Sequence, residues 1–207
     1  MLYPNLNRYC ASLPGEFSQI PEERKIVLQQ ISEYVSSKHR QRQRASLVVI
    51  CTHNSRRSHL GQAWLQTAAN YYGIEGVQTY SGGTEATAFH PNAVACLRRA
   101  GFSVETTDES VNPVYRLSIS DGMPGWLGYS KRFDDVANPR SNFCAILVCT
   151  DADQRCPVVS GADQRLSVPF HDPKAYDHTP QDSVQYDRSC RYIAREMAYA
   201  MSLLTTQ

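Results

Sequence analysis

The chain lacks any apolar run long enough to span a bilayer, so no membrane-embedded role is expected of it. It lacks a dominant charge sign. Against 20 Asp and Glu stand 21 Lys and Arg, and the net charge of +1 removes the electrostatic case for nucleic acid or a membrane surface as partner. Its start, MLYPNLNRYCASLPG, lacks the charged-then-apolar profile of a signal peptide, and the expected location is cytoplasmic. It lacks the two closely spaced cysteine pairs of a structural zinc site, so no metal is expected. It does have seven cysteines, an odd number in a chain of 207 residues without signs of secretion. That argues against a disulfide scaffold and for catalytic, redox or core thiols. Repeats and low-complexity segments are missing. At 42% hydrophobic and 20% charged, the chain is composed like one globular domain with additions.

What is there centres on residues 47–64, LVVICTHNSRRSHLGQAW. Leu47, Val48, Val49 and Ile50 read as a buried strand that Cys51 ends. From Leu60 the period changes, and Leu60, Ala63, Trp64, Thr67, Ala68 and Tyr71 share one face of a helix. Between the two lies a turn with a cysteine followed, after five residues, by an arginine and a serine. A loop entering a helix N-terminus points backbone N–H groups at one place, where a tetrahedral oxyanion binds. A cysteine at its floor feels the same donors and the helix dipole, which favours its thiolate. Arg57 supplies a planar fork for two oxyanion oxygens. Ser58 can hold the thiolate with its hydroxyl. The expected oxyanion-binding set is Thr52, His53, Asn54, Ser55, Arg56, Arg57 and Ser58, around the nucleophile Cys51.

This pattern resembles the low-molecular-weight tyrosine phosphatases and the thioredoxin-coupled arsenate reductases, which share a fold. Two departures stand out. The third loop position, usually Gly in those families, is His53, and the residue before the arginine, often Cys, is Arg56. Further likenesses follow along the chain. Residues 77–81 read as a second strand running into Gly82, Gly83 and Thr84, like the Ser-x-Gly-Thr turn of these families. Residues 143–149, FCAILVC, are apolar throughout, as in a central parallel strand. They lead into an Asp-Ala-Asp segment and a second cysteine before proline. Cys149 and Cys156 thereby resemble the cysteine pair of the arsenate reductases, which plain phosphatases lack. Asp172-Pro173 on a late loop matches both families, where the aspartate protonates the leaving oxygen. Taken alone, Asp172-Pro173 reads as a turn.

The other segments carry less chemistry. Residues 1–45 form an N-terminal helical extension. Pro21, Glu22 and Glu23 start its helix, Ile26, Val27, Ile31, Tyr34 and Val35 form its apolar face, and the basic run at 38–44 reads as a solvated helix end. His90 and Pro91 open another helix, with Ala93, Val94, Leu97 and Ala100 inward and Gly101 as its stop. Residues 111–135 read as a β-hairpin insertion, with Val114 to Ser120 facing Trp126 to Tyr129. Its Tyr115, Trp126 and Tyr129 either pack the insertion or wall a cleft. Thr179 and Pro180 begin a last helix with Cys190, Ile193, Ala194, Met197, Met201 and Leu204 inward. Cys96 and Cys190 read as core.

Strands alternate with helices, so the fold class is α/β, an open parallel sheet flanked by helices on both faces. The catalytic domain is expected over 46–207. The resemblance implies arsenate reduction. Cys51 attacks arsenate, Asp172 protonates the departing hydroxide, Cys149 attacks Cys51, and Cys156 attacks Cys149 to hand the disulfide to thioredoxin. No cofactor is implied. The alternative is a phosphatase in which Cys51, Arg57 and Asp172 hydrolyse a phosphotyrosine monoester. A non-enzymatic oxyanion-binding module is the third reading, supported only by His53.

Overall fold

The computed structural model describes residues 1–155 and 158–205. Its centre is a four-stranded parallel sheet built from β1 (Ala45–Cys51), β2 (Val77–Gly83), β6 (Phe143–Leu147) and β7 (Ala162–Ser167), in the order β2-β1-β6-β7. The apolar run of β1 fits a middle strand covered on both faces. Leu47, Val48, Val49 and Ile50 are wholly buried. β1 pairs along its whole length with β2, from Ala45 opposite Val77 to Cys51 opposite Gly83, and with β6 from Ser46 opposite Phe143 to Ile50 opposite Leu147.

Helices flank this sheet. α3 (Arg57–Tyr71) connects β1 to β2, and α5 (Thr150–Arg155) connects β6 to β7. The predicted face of α3 is inside except for Tyr71, which is partly buried, and so is most of the rest, including Ser58, His59, Gln62 and Leu65. Its neighbours explain this: β1 and β2 lie on one side, and α1 (Pro4–Ser12), α4 (Pro91–Ala100) and α6 (Asp182–Ser202) close the others. α6 buries Cys190, Ile193, Ala194, Met197 and Met201 as expected, and also Tyr186. The helix begins at Asp182 with Gln181 as its cap, later than the Thr179 start read from the sequence. Thr179 instead accepts from the Gln181 amide at 3.3 Å, a turn preceding the helix.

The N-terminal residues share the core of the sheet. Leu6, Leu13, Leu28 and Ile31 are buried in it, and Tyr9 stacks on Trp64 at 4.8 Å. α2 (Glu22–Arg40) packs on α6 and reaches β7 and β1. Two expectations for this helix are corrected. Ile26 is 62% exposed, and Leu28 takes its place, because Leu28, Ile31, Ser32 and Val35 form the inward i, i+3, i+4, i+7 series. Lys38 is not a solvated helix end. It is buried, its ammonium 2.7 Å from Asp163 and lying over the Tyr34 ring.

The insertion pairs β4 (Tyr115–Ser118) with β5 (Trp126–Gly128) as the hairpin reading expects, and adds a strand the sequence did not suggest. β3 (Ser103–Thr106) joins β4, giving a separate antiparallel sheet in the order β3-β4-β5. Tyr115 is buried and meets Phe89 edge-on at 5.5 Å, so it packs the insertion onto the domain. α4 starts and stops where expected: His90 accepts from the Asn92 amide, and Gly101 ends the helix at φ 107°.

Candidate active site

The loop from Cys51 to the start of α3 leaves the carboxyl end of β1, the rim where open α/β sheets bind ligands. It is tied down through its carbonyls. The Cys51 carbonyl accepts from the Thr84 amide at 3.1 Å, and that of Thr52 from the Glu85 amide at 2.8 Å and the Thr84 hydroxyl at 3.1 Å. The His53 carbonyl accepts from the Ser130 hydroxyl at 2.8 Å and the Thr87 hydroxyl at 3.2 Å. The Ser55 carbonyl accepts from the His90 amide at 2.9 Å. The amides behave oppositely. Among the described residues, the N–H groups of His53, Asn54, Ser55, Arg56 and Arg57 donate to no protein acceptor. A run of free donors entering a helix N-terminus is an anion-binding nest.

Asn54 holds the turn at φ 43°, a left-handed conformation that Asn tolerates. Its buried carboxamide accepts from the Lys131 amide at 2.9 Å and donates to the Ser58 hydroxyl at 2.8 Å. Ser58 therefore has its own proton to offer Cys51 Sγ, 3.1 Å away, when the sulfur is a thiolate. Gly83 backs the loop. A Cβ there would lie 2.3 Å from the Glu85 carbonyl oxygen and 2.7 Å from the Asn54 nitrogen. The glycine of the Ser-x-Gly-Thr turn is thus demanded by close approach.

Arg57 and Asp172 meet. Arg57 Nη2 lies 2.5 Å from Asp172 Oδ2, and Nη1 donates to the Phe170 carbonyl at 2.9 Å. Asp172 Oδ1 accepts from the Lys174 amide, so the turn reading and the functional reading describe one residue. Two of the five guanidinium donors hold the acid loop, which leaves others for an oxyanion.

Arg56 turns away. Its Nε donates to the Tyr186 hydroxyl at 2.5 Å, and its Nη2 pairs with Asp177. Burial alone would raise the Asp177 carboxyl. The Tyr186 hydroxyl, Arg56 and His90 outweigh it and hold the group below its ordinary value. Arg56 thus offers the loop its backbone, while its side chain anchors the helix end. Asp177, Tyr186 and Ser130 are site residues that the sequence did not single out. Nothing local marks them, since they sit 121, 130 and 77 residues from their loop partners. His53 places its ring 3.6 Å from Glu85, and His171 is exposed.

Cys149 follows β6 and opens α5. It is buried, with Sγ 3.4 Å from the Thr52 hydroxyl and 3.4 Å from the Ala152 amide. Cys156, the expected third thiol, and Pro157 lie outside the described residues. Among the described residues, no group of three His, Cys, Asp or Glu is arranged to hold a metal. No helix among them is long and apolar enough to cross a membrane.

Over residues 46–113 the chain matches the sequence profile of the low molecular weight phosphotyrosine protein phosphatases. Over that segment the chain is similar to this family. Arsenate reductases are similar to the chain in sequence. The arsenate reductase of Bacillus licheniformis is 27% identical over 138 residues, covering 66% of this chain and 80% of the relative. That of Bacillus subtilis is 25% identical over 133 residues, covering 64% and 77%. Among solved structures, a YwlE mutant from Bacillus subtilis has a TM-score of 0.54 at 13% identity, over 77% of this chain and 98% of the other. The low molecular weight protein tyrosine phosphatase of T. tengcongensis gives 0.53 at 15%, over 77% and 99%. These structures share the fold, a parallel four-stranded sheet flanked by helices. The profile match covers the loop, the Gly83 turn and α4. It stops short of β4 and β5.

Proposed function

We propose that the protein reduces arsenate to arsenite through a thiol–disulfide relay that thioredoxin resets. The observation that carries this reading is the second thiol. Cys149 stands at the same rim as Cys51, one hydroxyl away from the nucleophile loop. A phosphatase needs a single thiol, whereas a reductase must dispose of two electrons.

Arsenate sits on the free amides and the remaining donors of Arg57. Cys51 attacks the arsenic, and the departing hydroxide takes the Asp172 proton and leaves as water. Cys149 then attacks the Cys51 sulfur. The S–S bond forms as the As–S bond breaks, its electron pair stays on arsenic, and arsenite leaves. Cys156 attacks Cys149, frees Cys51 as a thiolate, and presents the Cys149–Cys156 disulfide to thioredoxin. The names of the sequence relatives support this over the alternative.

The second reading is hydrolysis of phosphotyrosine monoesters. The Arg57–Asp172 pair favours it, because it places a carboxyl group beside the same cup, where an alkoxide leaving group needs a proton. Two assays on purified protein separate the readings: arsenate with thioredoxin, thioredoxin reductase and NADPH, and p-nitrophenyl phosphate alone. Arsenate-dependent NADPH oxidation at many turnovers per enzyme is expected. Phosphate release without that oxidation would establish the phosphatase instead.

A further inference from the structure

Asp172 stands on a strand-to-turn segment whose support comes from outside the family match. Residues 168–170 continue β7 past its end: the Val168 amide donates to the Leu147 carbonyl at 2.8 Å and that of Phe170 to the Val148 carbonyl at 3.1 Å. Val168 is buried in the core and Phe170 packs partly buried against it. Pro169, Phe170 and His171 border a cavity of about 490 Å³ that Pro21, Val27 and Tyr192 line from the other side. Arg24 reaches the segment from that side. Arg24, on α2, donates from Nη2 to the Pro169 carbonyl at 3.0 Å and lays its guanidinium over the Phe170 ring, 4.8 Å from the centroid. Its Nε donates to Glu196 Oε2 on α6 at 2.7 Å. Burial raises the Glu196 carboxyl, and Arg24 opposes the shift.

The neighbouring bonds complete a path to the cup. The Phe170 carbonyl accepts from Arg57 Nη1, and Arg57 Nη2 holds Asp172. Glu196 fixes Arg24, Arg24 fixes the Pro169 carbonyl and the Phe170 ring, and the backbone there leads to both the Arg57 contact and the residue two places on. We infer that Arg24 is a positioning residue: the N-terminal helix sets where Asp172 stands relative to the nucleophile. This rests on the reading of Asp172 as the general acid. It gives residues 1–45 a role in chemistry as well as in folding.

Geometry decides the substitutions. In Arg24→Lys the ammonium can keep Glu196 but cannot also reach the Pro169 carbonyl and lie flat on Phe170. In Arg24→Ala all three contacts go. Neither change touches the loop amides or Ser58. An acid is needed for a poor leaving group and hardly for p-nitrophenolate, so misplacing it splits the two.

The test measures kcat on phenyl phosphate and on p-nitrophenyl phosphate for the full-length wild type, Arg24→Lys, Arg24→Ala and Asp172→Asn. Inhibition by inorganic phosphate is followed in parallel, with hydrogen exchange over residues 168–173. We expect Asp172→Asn to lose about 100-fold on phenyl phosphate, and Arg24→Ala about tenfold, with the loss on p-nitrophenyl phosphate under about threefold for both. Arg24→Lys should fall between wild type and Arg24→Ala and exchange faster at 168–173, with phosphate inhibition unchanged. If Asp172→Asn is selective and both Arg24 variants are not, the positioning role is wrong while the acid stands. If Asp172→Asn shows no selectivity, the acid assignment fails and the positioning role with it. Should Arg24→Ala not fold, Arg24→Lys with normal exchange and normal kcat on phenyl phosphate overturns the proposal alone.

Discussion

The ends of β1 and β6 are neighbours on one rim and carry a thiol each, yet they are built differently. The loop after β1 is tied through four carbonyls to Thr84, Glu85, Thr87, His90 and Ser130, and by Asn54 to Lys131. After β6 comes a six-residue helix, too short to be stable alone, which buries Ala152 and leans on Arg165 through Asp153. The Cys149 sulfur meets the Thr52 hydroxyl at 3.4 Å. Under the proposed relay, Cys51, which must meet an anion in one geometry, sits on the heavily tied end, and Cys149, which must reach a second sulfur, sits on the short helix. Both thiols are free in this structure, and a disulfide between them requires Cβ atoms about 4 Å apart.

The comparison breaks most completely at the thiols. Cys51→Ser should reduce both arsenate reduction and p-nitrophenyl phosphate hydrolysis to background. Cys149→Ser should abolish multiple-turnover arsenate reduction and leave the hydrolysis within about twofold, because the cup donors stay in place. In Cys156→Ser a Cys51–Cys149 disulfide should accumulate after one turnover, seen by peptide mass spectrometry. Cys149→Ser with wild-type arsenate turnover would remove the relay.

A smaller effect tests the rigidity of the first end. In Gly83→Ala the new methyl meets backbone atoms of Thr52, Asn54 and Glu85, none of which can swing aside. The loop itself must shift. We expect about 1–3 kcal/mol of stability to be lost, and kcat on p-nitrophenyl phosphate to fall by about tenfold or more as the amides lose alignment. Phosphate affinity, by calorimetry, should weaken with it. An alanine variant that keeps its phosphate affinity would mean the loop gives way more easily than its bonds suggest.

These contrasts also mark what the sequence could reveal. The strand, the turn and the Cys51–Arg57 spacing are local, so periodicity and chemistry read them directly, and the parallel sheet follows from the alternation. That Asp172 meets Arg57 depends on a partner 115 residues away, since Asp172-Pro173 alone reads as a turn. What escaped depends on distant partners. Lys38 looks like a solvated end until Asp163 arrives from β7. The side chain of Arg56 looks like an anion ligand until Asp177 and Tyr186 claim it. β3 is missed because only Val104 of its four residues is buried, too little for an alternating pattern. Ile26 misleads because α2 turns its Leu28 face inward, a choice made by α6.

The mildest prediction separates backbone support from side-chain support in the insertion. Lys131 joins the loop through its main chain: its amide donates to Asn54 Oδ1, and its carbonyl accepts from the Gly83 amide. Its side chain is buried over the Tyr129 ring, 4.5 Å from the centroid. Burial pushes the ammonium down to about 8, with Asp135 opposing only in part. Below that value the folded state carries a desolvated charge that the unfolded chain keeps in water. Between about 8 and 10.5 the folded state has released the proton while the unfolded state still holds it. Stability from this residue therefore rises with pH across that window, and the penalty is fully present below it. Lys131→Met removes the charge, keeps the bulk and forfeits a cation–π contact. It should stabilise the protein by about 1–2 kcal/mol at pH 7. The gain should shrink as pH passes from 8 towards 10.5, when wild type and variant are unfolded with urea side by side. Hydrolysis of p-nitrophenyl phosphate at pH 7 should not change, because the bonds that reach the loop belong to the backbone. A gain that stays constant with pH would assign the effect to packing, and a loss of activity would give the side chain a part in the cup.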